Sequence, residues 1–310
     1  MKKSSAVLSP ILLCLLALFF PGSSAAQSFR VGVRLANQGM QQSQSAAVPL
    51  SAFNTDFTML PSVFGTRISP YGGGPQTQNL VLFCYTLPTG NIIPNCDITV
   101  VPSAEANSGG HLHNTNRPAG TFTPDHGNSG PSGFLPVSYT APQASGIINV
   151  TETGSPNGFP PFGTIFTIGI EFDGLQPASV SGFVVDTQSN MHGNNNGNAT
   201  PQMAAALQDT ADLFADLLVQ AGEKLPALHV TAISLPQGGL FDYKYEWSPP
   251  HVDHRFGFEA DISPTSAPNL TDAQRGALQK AFLKSGLTAP VPGENPQDEG
   301  ANHWHLRLSQ

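Results

Sequence analysis

Charge is scarce in this chain. Asp, Glu, Lys and Arg make up only 11% of its 310 residues, with 13 basic residues against 21 acidic ones. Without residues 1–26, which hold Lys2, Lys3 and no acid, the balance is 11 − 21 = −10 with histidines neutral. That balance excludes binding to nucleic acid or anionic lipid through bulk charge. Cysteine is scarcer, at three, with no Cys-x-x-Cys pair, so a thiol redox centre or cysteine-rich metal cluster has no support. Long apolar runs are confined to the N-terminus, and no later segment approaches the length of a transmembrane helix.

What the N-terminus does contain reads as an export signal covering residues 1–26. Lys2 and Lys3 form the positive end, Ala6 to Phe20 the apolar stretch, and Ser24-Ala25-Ala26 the small residues of a cleavage site. The expected location is secreted or periplasmic. Cys14 lies inside the signal, which leaves Cys84 and Cys96 to form one stabilising disulfide in an oxidising compartment.

Gly and Pro together number 59, well above the roughly 12% of average usage, and the excess lies before residue 200. Many turns and short strands are therefore expected there. Alternating or β-rich stretches run over 29–35, 79–85, 146–151, 163–172 and 178–185, separated by Gly/Pro/Asn clusters such as 71–75, 128–133 and 154–161. Short strands at regular spacing predict an antiparallel β-sandwich over 27–188. The polar run Asn194 to Asn198 reads as a linker or exposed loop.

After it the pattern changes. Thr200-Pro201 opens a helix that carries Met203, Leu207, Ala211, Phe214 and Leu218 and ends at Gly222. A β-rich stretch, Leu228 to Leu235, follows. A second helix starts at 269–272 and stops at Gly286, and a final strand spans His303 to Leu308. Mixed elements in about 120 residues predict a small α+β domain over 189–310 with a short antiparallel sheet.

The chemistry concentrates in that last part. His251 and His254 form one cluster and His303 and His305 another, with Asp261 and Glu299 between them. Zinc takes imidazole nitrogen and carboxylate oxygen, and a catalytic zinc keeps three protein ligands plus water. His303 and His305, two apart in a strand, emerge on one face while Trp304 and Leu306 point to the other. Gly257 lets the chain turn between His254 and Asp261. Asp253 or Glu259 could accept from a metal-bound imidazole, and His251 is the alternative ligand. Arg255 and Tyr245 are candidates for contact with a substrate.

The segment His254-Arg255-Phe256-Gly257-Phe258-Glu259-Ala260-Asp261 resembles the His-x-x-Gly-x-x-x-Asp segment of the D-Ala-D-Ala carboxypeptidase/dipeptidase and hedgehog-type zinc peptidase fold. His303-Trp304-His305 resembles its closing His-x-His. The resemblance covers residues 200–310. It implies one zinc ion held by His254, Asp261 and His305, with His303 unligated and facing the substrate and Glu299 placed as general base. Val252 stands where many members carry serine, and Asn302 where the dipeptidase branch carries its acid. Zinc would lower the pKa of its water to about 7, Glu299 would move the proton, and His303 would stabilise the oxyanion.

The chain is thus expected to be an exported zinc metallopeptidase acting on short peptides, including peptidoglycan stem peptides. The alternative is a catalytically silent, zinc-stabilised binding or adhesion protein. The sandwich would contact a surface or carbohydrate; its Tyr139 to Gly146 segment, followed by an alternating strand, resembles bacterial immunoglobulin-like modules. A second candidate metal cluster is His111-Leu112-His113 with Asp125-His126, and Asn149, Asn198 and Asn269 head Asn-x-Thr sequons.

Overall fold

The computed structural model describes residues 28–35, 57–59, 77–87, 89–172, 174–185, 193–242, 247, 254–264, 270–288 and 303–309. The signal segment 1–26 lies outside them. In chain order the strands of the first part are β1 (Ser28–Leu35), β2 (Phe57–Met59), β3 (Thr77–Leu87), β4 (Ile92–Ile93), β5 (Cys96–Ala104), β6 (Thr121–Thr123), β7 (His126–Asn128), β8 (Phe134–Thr140), β9 (Gly146–Pro156) and β10 (Phe162–Ile170). There follow β11 (Gln176–Pro177), β12 (Val184–Val185), β13 (Asn198–Ala199), α1 (Pro201–Ala221), β14 (Leu228–Ala232), β15 (Glu259–Pro264), α2 (Asp272–Lys284), β16 (Leu287–Thr288) and β17 (Trp304–Leu308).

The first ten strands form two facing sheets, one ordered β1-β3-β8-β6 with β4 beside β3, the other β2-β10-β9-β5-β7. Strict alternation along β5 and β9 sends Ile98, Val100, Ile148 and Val150 inward to meet Val31, Val33, Leu80 and Leu82 of the opposite sheet. The expected sandwich is present. The disulfide Cys84–Cys96 joins β3 to β5 and so ties the two sheets together. Gly154 faces that bridge: a Cβ there would stand 2.8 Å from the Cys84 sulfur, so only glycine fits.

Glu152 departs from the pattern. It points inward on β9 opposite Val100 of β5 and Thr164 of β10, and is fully buried. Neither carboxyl oxygen makes a hydrogen bond among the described residues, and burial pushes its pKa up to about 8. It is therefore a neutral acid in the sandwich core at neutral pH.

The remaining strands build a third sheet, β12-β14-β15-β17-β16, with α1 and α2 packed on one face. Both helix boundaries follow the sequence signals. Thr200 caps α1 by accepting from the Met203 N–H, Pro201 takes the first turn, and Gly222 closes it in the left-handed conformation. A capping box of Thr271 and Gln274 starts α2.

Two expectations are revised, and one strand is added. Residues 178–185 hold only a two-residue strand, and Val180 and Phe183 pack instead into the core shared with α1. Cys96–Ala104, a stretch not singled out in the sequence, is an interior strand of its sheet, because only every second residue needs to be apolar. The asparagine run is no linker: Gly193–Asn196 is a 3-10 turn, and Asn196 and Asn198 are buried. Asn198 donates to the carbonyls of Asn195 and Ser234, so this sequon is internal.

Sandwich and third sheet are in direct contact. Ala144 bridges to Gly239, the Leu240 N–H reaches the Gln143 carbonyl, and the Phe172 N–H reaches the Gln237 carbonyl. Arg255 donates to the Gln143 side chain, and Phe172 packs on Phe256.

Candidate metal centre

The antiparallel register of β15 and β17 places Asp261 directly opposite His305. Directly opposed residues share a face, so the carboxylate and the imidazole emerge together. Their neighbours Ala260, Ile262, Trp304 and Leu306 point the other way and are buried under the helices. On the other side of β15 the register with β14 shifts between Val230 and Ala232, a bulge that comes level with Asp261. Bulges of this kind re-aim side chains next to sites.

His254 arrives from the turn that enters β15. Its own φ is 61° and that of Gly257 is 68°. A Cβ at Gly257 would meet Leu175 at 2.3 Å, which makes the glycine obligatory. A left-handed histidine persists only where its surroundings hold it. Here they do: its N–H donates to Glu259 Oε2 at 2.7 Å, and Glu259 is itself paired with Arg307, whose Nε donates to Oε1 at 2.8 Å. Glu259 and Arg307 are register partners two residues along the same strand pair.

The His254 ring is oriented by its far nitrogen. Nδ1 stands 3.0 Å from the Ile233 carbonyl oxygen, an acceptor only, so Nδ1 carries the proton and donates. Nε2 faces Asp261 Oδ2 at 3.3 Å, while His305 Nδ1 stands 3.3 Å from Oδ1. Each nitrogen–oxygen pair is placed to share a proton or a metal ion. Burial alone would raise the Asp261 pKa. The charge and hydrogen bond of His254, and the charges of His305 and His303, outweigh burial and hold the carboxyl below its usual range.

The donor atoms of His254, Asp261 and His305 all lie within 4.8 Å of one another. Ligands about 2.0–2.1 Å from zinc at tetrahedral angles stand about 3.3 Å apart. The two imidazole–carboxylate separations, one to each oxygen of Asp261, are close to that edge. The donor set, two nitrogens and one oxygen with a backbone carbonyl orienting one ring, is one zinc accepts. The residues fit the ion.

The other candidates divide. His303 precedes β17, is half-buried and acts on Asp261 through its charge, but is not among the three converging ligands. Glu299, His251, Val252, Asp253, Tyr245 and Asn302 lie outside the described residues. Glu259 accepts from a backbone N–H, not from a ligand ring. Arg255 is buried against Gln143. His126 pairs with its neighbour Asp125 at 2.6 Å, whereas His113 pairs with Asp242. The Ile233 carbonyl and the Arg307–Glu259 pair were not foreseen: a backbone acceptor has no sequence signature, and that pair exists only through strand register.

No family model matches the chain, and no curated protein matches it. Among solved structures it is similar to the ASH/PapD-like domain of human CEP192 (PapD-like domain 7), at 14% identity over 51% of this chain and 94% of that one, TM-score 0.28. It is also similar to the Yersinia pseudotuberculosis adhesin InvE, at 10% identity over 90% of this chain and 70% of that one, TM-score 0.32. Likenesses this remote carry no argument about what the chain does.

Neither of these is a zinc peptidase, and the expected membership of the D-Ala-D-Ala carboxypeptidase/dipeptidase and hedgehog-type fold is corrected. The two matching segments specify one turn and one strand pair, which is local geometry, not a fold. The assignment as an enzyme goes with it: hydrolase, metallopeptidase and peptidoglycan have no support. The described residues are mostly β with two α-helices, and no separate zinc-peptidase domain stands out among them, since the sheet bearing the site recruits β12 and its core recruits Val180 and Phe183.

Proposed function

We propose that the chain is an exported, catalytically silent binding protein in which an immunoglobulin-like sandwich presents the recognition surface and one zinc ion braces the C-terminal sheet. The convergence of His254, Asp261 and His305 at tetrahedral-edge spacing carries the zinc part of this reading. A metal there would lock the entry turn of β15 to β17, and that turn also contacts the sandwich through Arg255 and Phe256.

The binding part rests on the outer face of β5, β9 and β10. Val101, Thr151 and Ile165 are cross-strand neighbours, and Val101 and Ile165 are 56% and 62% exposed. Thr99 and Thr153 form the adjacent row. A hydroxyl-bearing face with exposed aliphatic groups suits a carbohydrate or another protein surface better than a charged polymer. No described helix is long and apolar enough to cross a membrane.

Zinc-loaded protein is expected to cleave no peptide or peptidoglycan fragment in a broad screen. Its stability is expected to fall by roughly 3–4 kcal/mol when a chelator removes zinc held at 100 to 1,000 times its Kd. Turnover of any such substrate by the pure protein would overturn the silent reading, and a melting curve indifferent to chelation would overturn the bracing role.

A further inference from the structure

The chain holds two Asn-Gly pairs, Asn157-Gly158 and Asn196-Gly197, and the fold treats them oppositely. A backbone nitrogen reaches the side-chain carbonyl of the asparagine before it only where no Cβ crowds the approach and the peptide is free to turn. Glycine meets both conditions. We propose that Asn157 is a deamidation site, cyclising onto the Gly158 nitrogen with water as the only co-reactant, and that the fold protects Asn196.

Asn157 sits at the tip of the connection between β9 and β10. Asn157, Gly158, Phe159 and Pro160 are all exposed. The Phe159 N–H closes the turn on the Pro156 carbonyl at 3.1 Å, and Gly158 has a φ of 84°. Asn157 and Gly158 are thus the two central residues of the turn. A Cβ on Gly158 would meet nothing within 4 Å, so the space around its nitrogen is open. Neither the Asn157 amide nor the Gly158 N–H makes a hydrogen bond among the described residues. Water and both reacting groups meet there with no structure to break.

Asn196 has the opposite surroundings. It is fully buried. Its side-chain amide donates to the Thr231 carbonyl at 3.3 Å, and its own carbonyl accepts from the Ile233 and Ser234 N–H groups at 2.8 and 3.1 Å. The Gly197 carbonyl accepts from the Ala178 N–H. Ring closure needs rotation about the bonds at the Asn196 Cα, and each rotation breaks one of these contacts. Reaction there must wait for local opening.

The atoms balance simply. The Gly158 amide proton passes to hydroxide, the nitrogen bonds to Asn157 Cγ, and the Cγ–Nδ2 bond breaks to release ammonia. Water then opens the five-membered imide at either carbonyl, giving aspartate or isoaspartate. Each product adds a carboxylate to a chain short of charge, at the end of the sheet where exposed Asp97 lies opposite Ser155. Isoaspartate also lengthens the main chain by a methylene group, which an exposed loop tip tolerates.

Ageing the full chain in alkaline heavy-oxygen water tests this. Digestion after aromatic residues then separates the two pairs, because Phe162 and Phe183 lie between them. The peptide with Asn157 should gain acid and heavy oxygen at least about 100-fold faster than the peptide with Asn196, whose reaction waits on opening of buried structure. In urea the two rates should converge. Asn157→Gln should abolish the folded-state signal, since its longer side chain cannot close the five-membered ring. An Asn157 amide that stays intact in the folded protein would overturn the proposal. So would an Asn196 that reacts as fast as Asn157 before unfolding.

Discussion

Glu152→Gln is expected to stabilise the protein by about 3 kcal/mol at pH 7. The carboxyl is sealed in the sandwich without a hydrogen bond among the described residues, and burial pushes its pKa from the usual 4.5 to about 8. An acid whose folded pKa is raised keeps its proton in the native state while the unfolded chain has lost it. Stability therefore falls as pH rises from the unfolded pKa through the folded one, and levels off above it. Glutamine is close in shape to the protonated acid but does not titrate, so the variant lacks this slope. Urea midpoints at pH 5 and pH 9 read the effect: the gap between variant and wild type should be small at pH 5 and widen by several kcal/mol at pH 9. An equal gap at both pH values would mean that the carboxyl ionises freely in the folded protein.

Glu259→Ala carries the other large effect. It leaves Arg307, only 16% exposed, beside a lost partner and removes the acceptor that holds the left-handed His254 backbone. Breaking one half of such a pair costs about 3–5 kcal/mol. Because Glu259 also fixes the turn that delivers His254, zinc affinity should drop about 10- to 100-fold, the usual penalty for disturbing residues behind metal ligands. Combining Glu259→Ala with Arg307→Met should restore part of the stability, since no charge is then stranded, but not the affinity. Unfolding curves together with zinc titrations of both variants separate the two consequences. Wild-type affinity in Glu259→Ala would show that the turn holds itself.

Much of the fold is legible in the chain where the signal is local. Thr200-Pro201 and Gly222 mark the ends of α1 because caps act within one turn of the helix. Trp304 and Leu306 are readable as the core side of β17 because strand alternation is strict. Legibility fails where tertiary context decides. The asparagine run resembles a solvated linker, yet Asn196 and Asn198 satisfy carbonyls beneath the third sheet. Alternation along β9 puts Glu152 on the same face as Ile148 and Val150, but an acid at a core position is not expected from its residue type.

The candidate metal centre shows both limits. The pairing of Asp261 with His305 depends on register, which sequence constrains only through the alternating apolar partners Ala260, Ile262, Trp304 and Leu306. Gly257 is visible as a turn residue, but the positive φ of His254 is not, since histidine carries no such mark. The family resemblance misled for a related reason. A short metal-binding pattern reports how donors are spaced, and the surrounding chain decides whether anything reactive is built around them.

Metal analysis of the full-length protein beside Asp261→Asn and His305→Ala tests the account at its centre. Each substitution is expected to lower bound zinc by one equivalent per chain while the far-ultraviolet circular dichroism of the sandwich persists. Zinc content unchanged in both variants would contradict the assignment of His254, Asp261 and His305 as a metal centre.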